Sequence, residues 1–359
     1  MGIVQTVCGP MQPENMGITL PHEHLLIDVS CWFVSPKEPS KSYMIHSPVV
    51  MEMLGDLRRN SNSCLDNMKL SDVGDARNEL LMFKANGGRT LVDLTPESLG
   101  RDPLAIREIS QSTGVNVVLG TGWYIESARP DYIHTKSAEE LATVLIDEFM
   151  KGIANTGIKP GVIGEIGFSN RLSEDDKKIL AAVSKVQSVT GAAVTIHPAT
   201  ENDEQRKRIR QIADYLDILE EGEADLKKVY MSHTDYFLYD MDHLKRLVDR
   251  YDITLSIDQF FASTFYDEMW PGYGPPEDEE KTKAVIDLLS SGYEKRVMIS
   301  HDICLKHHLV KYGGYGYAHI LKTIVPMLKY AGVSDRQIDT ILVENPKNLL
   351  QLRAKSEGS

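Results

Sequence analysis

Residues 161–197 read GVIGEIGFSNRLSEDDKKILAAVSKVQSVTGAAVTIH, a strand, a helix and a second strand in succession. The runs 161–167 and 192–197 are short, aliphatic and β-branched, as expected of strands buried on both faces. Between them Ser173-Glu174-Asp175-Asp176 supplies a helix start, Ile179, Leu180, Val183 and Val186 a core stripe, and Gly191 a stop.

The same unit recurs on both sides. Further apolar runs at 18–28, 90–95, 115–120, 229–233, 253–258 and 297–302 bring the number of expected strands to eight. Helix starts fall between them: Ser137-Ala138-Glu139-Glu140 is a capping box ahead of Leu141, Val144, Leu145 and Ile146, and Asp102-Pro103 places proline at a first helical position. Ser334 with Gln337 opens another near the end. Eight buried strands alternating with helices predict a closed (β/α)8 TIM barrel of the α/β class, with a doubly wound open sheet as the alternative. The whole chain, 1–359, reads as one barrel domain, without internal repeat or linker. Residues 31–74, rich in Pro, Ser, Asn and Met, are too long for a plain βα loop and are expected to form an insertion near the barrel mouth. Residues 269–280 read as a second long loop, and 318–353 as a helical end.

Composition narrows the partners. The 359 residues are 42% hydrophobic and 25% charged, an ordinary globular balance. Lys and Arg total 39 against 52 Asp and Glu, and a charge of −13 repels phosphate backbones and anionic membranes, so neither nucleic acid nor membrane is expected. No apolar run approaches the ~20 residues a bilayer span needs, and the N-terminus lacks the features of a secretory signal, so a cytoplasmic location is the expectation. The loose lipidation pattern at Met1-Gly2-Ile3-Val4-Gln5-Thr6 is matched by many chance N-termini. Cys8, Cys31, Cys64 and Cys304, scattered without a C-x-x-C pair, suit reduced thiols.

The chemistry lies at the strand ends, which carry His22 and His24, Asp93, Glu165, His197, His233, Asp258 and Asp302. In a (β/α)8 barrel these ends converge on one mouth, so ligands distant in sequence can meet. The period of two along a strand aims His22 and His24 into the barrel and Glu23 away, although two satisfied core histidines would read the same. His197 and His233 follow apolar strands where a second ion could be held. Glu165 is a carboxylate on an apolar strand, where an unpaired charge would cost several kcal/mol and a cation would relieve it. Its two oxygens could bridge two metals ~3.5–4 Å apart. Asp302 could both ligate a metal and accept a proton, while His301 must face the other way.

Gly17-Ile18-Thr19-Leu20-Pro21-His22-Glu23-His24-Leu25, Gly164-Glu165-Ile166-Gly167, His197-Pro198, Ser232-His233 and His301-Asp302 together resemble the phosphotriesterase branch of the amidohydrolase superfamily. Phe83-Lys84-Ala85-Asn86-Gly87-Gly88, residues 311–317 and Glu344-Asn345-Pro346-Lys347 are similar to its phosphotriesterase-related group. The resemblance implies an amidohydrolase-type barrel with two divalent ions, Zn first and Mn, Fe or Co as other options, and a hydroxide between them. It places His22, His24, Glu165 and Asp302 around one ion, and Glu165, His197 and His233 around the other. Where many members carry a carboxylated lysine at the bridge, this chain has Glu165, so metal assembly should not depend on carbon dioxide. Organophosphate-degrading members carry a histidine after the strand-seven aspartate. Here it is Gln259, which cannot shuttle protons, and this counts against efficient phosphotriester hydrolysis. Tyr124 aligns with an aromatic residue beside the metals in lactonase members and could orient the substrate carbonyl. Homodimers are common among such relatives.

These features favour a metal-dependent hydrolase of a small amide, lactone or ester, with Asp302 as general base and acid. Phosphoester hydrolysis and a metal-holding scaffold without turnover are the alternatives. Lys306, His307, His308 and Lys311 concentrate basic residues after strand eight in an acidic protein, so Lys306 and Lys311 are expected to receive an anionic group of a small-molecule substrate. Arg101 is a further substrate-binding candidate, with an ordinary salt bridge as its other reading. Cys304 lies near the same mouth, but a thiol nucleophile is superfluous beside a metal-activated water.

Overall fold

Eight parallel strands run in sequential order in a computed structural model that describes residues 2–169, 172–199, 205–261 and 276–352. They are β1 (Ile18–Glu23), β2 (Gly88–Asp93), β3 (Asn116–Thr121), β4 (Val162–Gly167), β5 (Ala193–His197), β6 (Val229–Met231), β7 (Thr254–Ile257) and β8 (Val297–Ile299). Six fall within their expected runs, while β2 starts two residues before the run 90–95 and β3 ends one residue after the run 115–120. The sheet curls until β8 meets β1: the Asp302 N–H donates to the His22 carbonyl at 3.1 Å, and Ser300 Oγ accepts from the His22 N–H at 3.1 Å. The result is the expected near-closed barrel, not the doubly wound sheet.

Several strands end earlier than their apolar runs. The run 18–28 breaks after Glu23 because the Leu25 N–H donates to the Asp93 carboxylate at 2.9 Å instead of to a neighbouring strand. Ile27–Asp28 then pairs antiparallel with Lys69–Leu70. The ladders of β6 and β8 stop before His233 and Asp302, whose backbones adopt the left-handed φ values of 54° and 55°. A non-glycine residue holds that conformation only where its surroundings fix it. For His233 the fixing contact is its N–H, which donates to Asp258 Oδ1 at 2.8 Å.

Outside the sheet lie α1 (Val73–Ala85), α2 (Pro103–Thr113), α3 (Ala138–Lys151), α4 (Glu174–Thr190), α5 (Gln205–Glu221), α6 (Met241–Tyr251) and α7 (Asp278–Ser290). The start signals act as read: Ser137 and Ser173 form capping boxes with Glu140 and Asp176, and Asp102 accepts from two backbone N–H groups above Pro103. Gly191 ends α4 at φ 67°. Residues 31–74 hold short helical turns around a small core of Met44, Val49, Met53, Leu54, Leu57 and Cys64. The chain ends in helical segments at 320–330 and 335–350, the second opened by the Ser334 capping box. Of the loop expected at 269–280, residues 269–275 lie outside the described residues, as does residue 353. Among the described residues no helix is long and apolar enough to cross a membrane.

One buried ion pair links the loops above β3 and β4. The Arg129 guanidinium meets Asp176 Oδ1 at 2.6 Å and also donates to the carbonyls of Tyr124 and Gly167, both at 2.8 Å. It thereby sets the height of Tyr124 over the barrel mouth. Arg129→Met leaves Asp176 buried without its counter-ion, and a loss of about 3–5 kcal/mol in unfolding free energy is expected. Urea denaturation checks this, and a loss below about 1 kcal/mol would count against the role.

Candidate metal centre

Six side chains from five strand ends meet at the barrel mouth. His22 Nε2 lies 3.3 Å from Glu165 Oε1 and 3.5 Å from Asp302 Oδ1, and His24 Nε2 lies 3.1 Å from the same Asp302 oxygen. His233 Nε2 is 3.4 Å from Glu165 Oε1, and the His197 and His233 rings are 4.4 Å apart. Two compact groups result, His22 with His24 and Glu165, and Glu165 with His197 and His233; His22, His233 and Asp302 form a third. Glu165 reaches the centre because nothing larger than glycine fits before it: a Cβ on Gly164 would lie 2.1 Å from the Thr195 side chain.

Each imidazole is aimed from behind. Nδ1 of His22 and of His233 bond to the two oxygens of Asp258 at 2.8 and 2.9 Å, that of His24 to Thr95 Oγ1 at 2.9 Å, and that of His197 to the Pro198 carbonyl at 2.9 Å. With Nδ1 so engaged, Nε2 of all four faces the cluster, the orientation that metal-binding histidines require. Among the described residues His22 Nε2 and Glu165 Oε1 are buried without any hydrogen-bond partner. A cation bonded to both removes that penalty, so the donor set fits divalent ions.

The electrostatics agree. Burial works against protonation of His22, yet the carboxylates of Glu165, Asp258 and Asp302 raise it to a pKa of about 9. Burial would raise Glu165, but His22, His197 and His233 bring it down to about 2. The cluster stabilises positive charge at its centre and keeps the shared carboxylate of Glu165 ionised. His197 drops to about 4, chiefly through burial, which suits a neutral ligand nitrogen.

Asp258, singled out in the sequence only as a strand-end carboxylate, is the shared brace of two imidazoles. Its own N–H donates to Asp235 Oδ2 at 2.9 Å. Asp258→Asn should weaken metal affinity about 10–100-fold with the fold intact. Titration with a chromophoric chelator checks this, and unchanged affinity would remove the bracing role. Asp93 likewise faces away from the cluster, accepting from the N–H groups of Leu25 and Thr95. Glu23 faces outward as the alternation requires and accepts from the N–H groups of His301 and Ile303 at 2.8 and 3.0 Å, latching the strand-eight loop. His301 faces Glu23, with Nδ1 2.7 Å from Oε1, so it too points away from the mouth.

A cavity above the cluster is lined by Trp32, Asn62, Tyr124, Tyr236, Gln259, Phe261, Cys304 and His308 together with His24, Glu165, His197, His233 and Asp302. The Tyr124 hydroxyl lies 3.2 Å from His197 Nε2 and accepts from Trp32 Nε1 at 3.1 Å. Burial keeps the Tyr124 hydroxyl and the Cys304 thiol protonated well above their usual ranges, so Cys304 is no thiolate nucleophile. The other substrate-binding candidates are already ion-paired. Lys306 pairs with Asp66 at 2.5 Å and Lys311 with Asp75 at 2.7 Å, while Arg101 pairs with Glu148 at 2.7 Å and donates to the Gly120 carbonyl at 2.8 Å. None of the three lines the cavity. Their charges meet carboxylates from the insertion, α1 and α3, partners whose proximity only the folded chain creates. His308 from the same loop does reach the cavity, stacked on Phe261 at 4.1 Å, with both ring nitrogens buried and unpartnered among the described residues.

The model of the phosphotriesterase family matches residues 2–350. The chain is 37% identical to N-acetyltaurine hydrolase of Mus musculus over 98% of its own length and 99% of that protein's. Its fold superposes on a resiniferatoxin-binding protein of Rhodobacter sphaeroides with a TM-score of 0.90 at 33% identity, covering 97% and 95% of the two chains. The phosphotriesterase homology protein of Escherichia coli, solved with phosphate in its active site, superposes at 0.74 with 26% identity and covers 94% and 99%. With two buried ligand groups at the mouth of an eight-stranded barrel, the chain belongs to the phosphotriesterase family and is a metal-dependent hydrolase.

Proposed function

We propose that this protein cleaves the amide bond of a small N-acyl amino acid bearing a sulfonate or carboxylate, a substrate of the N-acetyltaurine kind. The observation that carries the reading is the pair of ligand groups sharing Glu165 beneath a cavity that also presents Asp302. Its support on the substrate side is the full-length similarity to N-acetyltaurine hydrolase. His22, His24, Glu165 and Asp302 would hold one ion and Glu165, His197 and His233 the other, with zinc the metal best suited to so many imidazoles. When bound, the ions supply a water nucleophile at neutral pH and polarise the scissile carbonyl.

The side chains perform the remaining steps. Asp302, anchored beside His24, takes the proton of the attacking water and returns it to the leaving nitrogen, which an amide needs because an amine anion is a poor leaving group. Tyr124, held protonated, donates toward the substrate carbonyl oxygen. The strand-eight loop contributes His308, whose free ring N–H can meet the anionic end. His308→Phe keeps the stack on Phe261 and removes the donor; KM for an anionic N-acyl substrate should rise ~10-fold with kcat little changed. Steady-state kinetics check it, and a KM within twofold of wild type would remove His308 from anion recognition. Four free cysteines support a reducing cytoplasmic setting, and a homodimer is the expected assembly.

The test of the function is hydrolysis by the metal-loaded protein of N-acyl amino sulfonates and N-acyl amino acids beside lactones, aryl esters and one phosphotriester, compared as kcat/KM. Selective cleavage of an anionic N-acyl amide supports the reading. Preference for lactones or the phosphotriester overturns it.

A further inference from the structure

Gln259 sits at the cavity wall directly after the aspartate that braces His22 and His233, and its side chain has one committed end and one free end. Nε2 lies 3.4 Å from Asp302 Oδ2, to which it donates, and 3.4 Å from His233 Nδ1. Oε1 is thereby turned away from Asp302, buried and, among the described residues, without a hydrogen-bond partner. The backbone cannot swing away to relieve it. Lys281 Nζ bonds to the Gln259 carbonyl, and Asp235 accepts from the Gln259 N–H at 3.4 Å. A buried, fixed and unpaired acceptor beside the catalytic carboxylate is costly unless a donor arrives with the substrate.

We propose that Gln259 Oε1 accepts the N–H of the scissile amide and so makes the site selective for secondary amides over esters, lactones and phosphotriesters, which lack that hydrogen. This rests on the amide-hydrolase reading above. Asp302 and Gln259 Oε1 address the same atom of the substrate. As the carbonyl carbon becomes tetrahedral the nitrogen turns pyramidal, carrying one hydrogen and one lone pair. Holding the hydrogen at Gln259 directs the lone pair to Asp302, which protonates it as the carbon–nitrogen bond breaks and the bonding pair stays on nitrogen. The products are the carboxylic acid and the free amine. An ester offers no hydrogen at that position and leaves Oε1 unpaired through the whole reaction. Sites that hydrogen-bond a substrate N–H discriminate strongly against analogues without one.

The experiment compares two matched substrates, N-acetyl-2-aminoethanesulfonate and the acetate ester of 2-hydroxyethanesulfonate, on metal-loaded wild type and Gln259→Met. Methionine removes the acceptor at similar volume, and the ratio of kcat/KM for amide to ester should fall ~30-fold. A disturbance of Asp302 would also lower that ratio, because the amide depends more on protonation of its leaving group, so binding is read separately. Calorimetric binding in the slow Asp302→Asn background gives a second reading, in which Gln259→Met should weaken the amide and spare the ester. An unchanged ratio in Gln259→Met, or undiminished binding of the amide by Gln259→Met in the Asp302→Asn background, overturns the proposal. Failure of wild type to cleave the amide while cleaving the ester overturns instead the amide-hydrolase reading on which it stands.

Discussion

Glu165→Gln is expected to purify with less than one divalent ion per chain in place of roughly two, and to lose at least ~1,000-fold in kcat/KM. The carboxylate belongs to both of the compact ligand groups, so no other single side chain serves the two positions together. Its charge is what the surrounding imidazoles balance: His22, His197 and His233 hold it ionised to about pH 2 against burial. Glutamine keeps the shape and one oxygen but removes the charge. It also presents an amide N–H₂ to imidazole nitrogens already aimed inward. Elemental analysis of the purified variant, with kinetics after zinc reconstitution, decides the matter. Two ions at full occupancy would show that Glu165 is not the bridge.

Asp302→Asn should separate binding from chemistry. The carboxylate approaches His24 and His22 with Oδ1, so asparagine can keep an oxygen in place and most of the metal should remain. What it loses is the ability to accept a proton, and general base catalysis contributes about 10²–10⁴-fold. A fall of that size in kcat is expected, with KM within a few-fold and the metal content near that of wild type. Unchanged kcat would remove the role of base. Loss of the metal along with the rate would make Asp302 a ligand first.

The barrel was legible because its signals are local. A buried parallel strand must be apolar and short, a helix must open with a cap and close with a glycine, and both statements are made by adjacent residues such as Ser173, Asp176 and Gly191. The metal-site residues were legible for a related reason: a histidine or carboxylate at the end of an apolar run is conspicuous, and the barrel topology brings all such ends to one mouth. The strand ends themselves were less so. The chain leaves the sheet at Leu25 and His233 because distant carboxylates, Asp93 and Asp258, capture the backbone N–H groups. Apolar periodicity carries no trace of those partners.

The sequence by itself determined the fold class, the set of ligand residue types and the family, since each depends on composition and order over a few neighbouring residues repeated along the chain. Only the tertiary structure decided which polar residues remain available. Lys306, Lys311 and Arg101 look like anion receptors in the sequence, yet Asp66, Asp75 and Glu148 neutralise them across separations of 240, 236 and 47 residues. His308 and Gln259, noted in the sequence as part of a basic cluster and as a departure from a family pattern, line the cavity with buried atoms that have no partner among the described residues. A charge or hydrogen-bonding group acts on a substrate only when the protein has not already satisfied it, and that depends on pairs the chain makes after it folds.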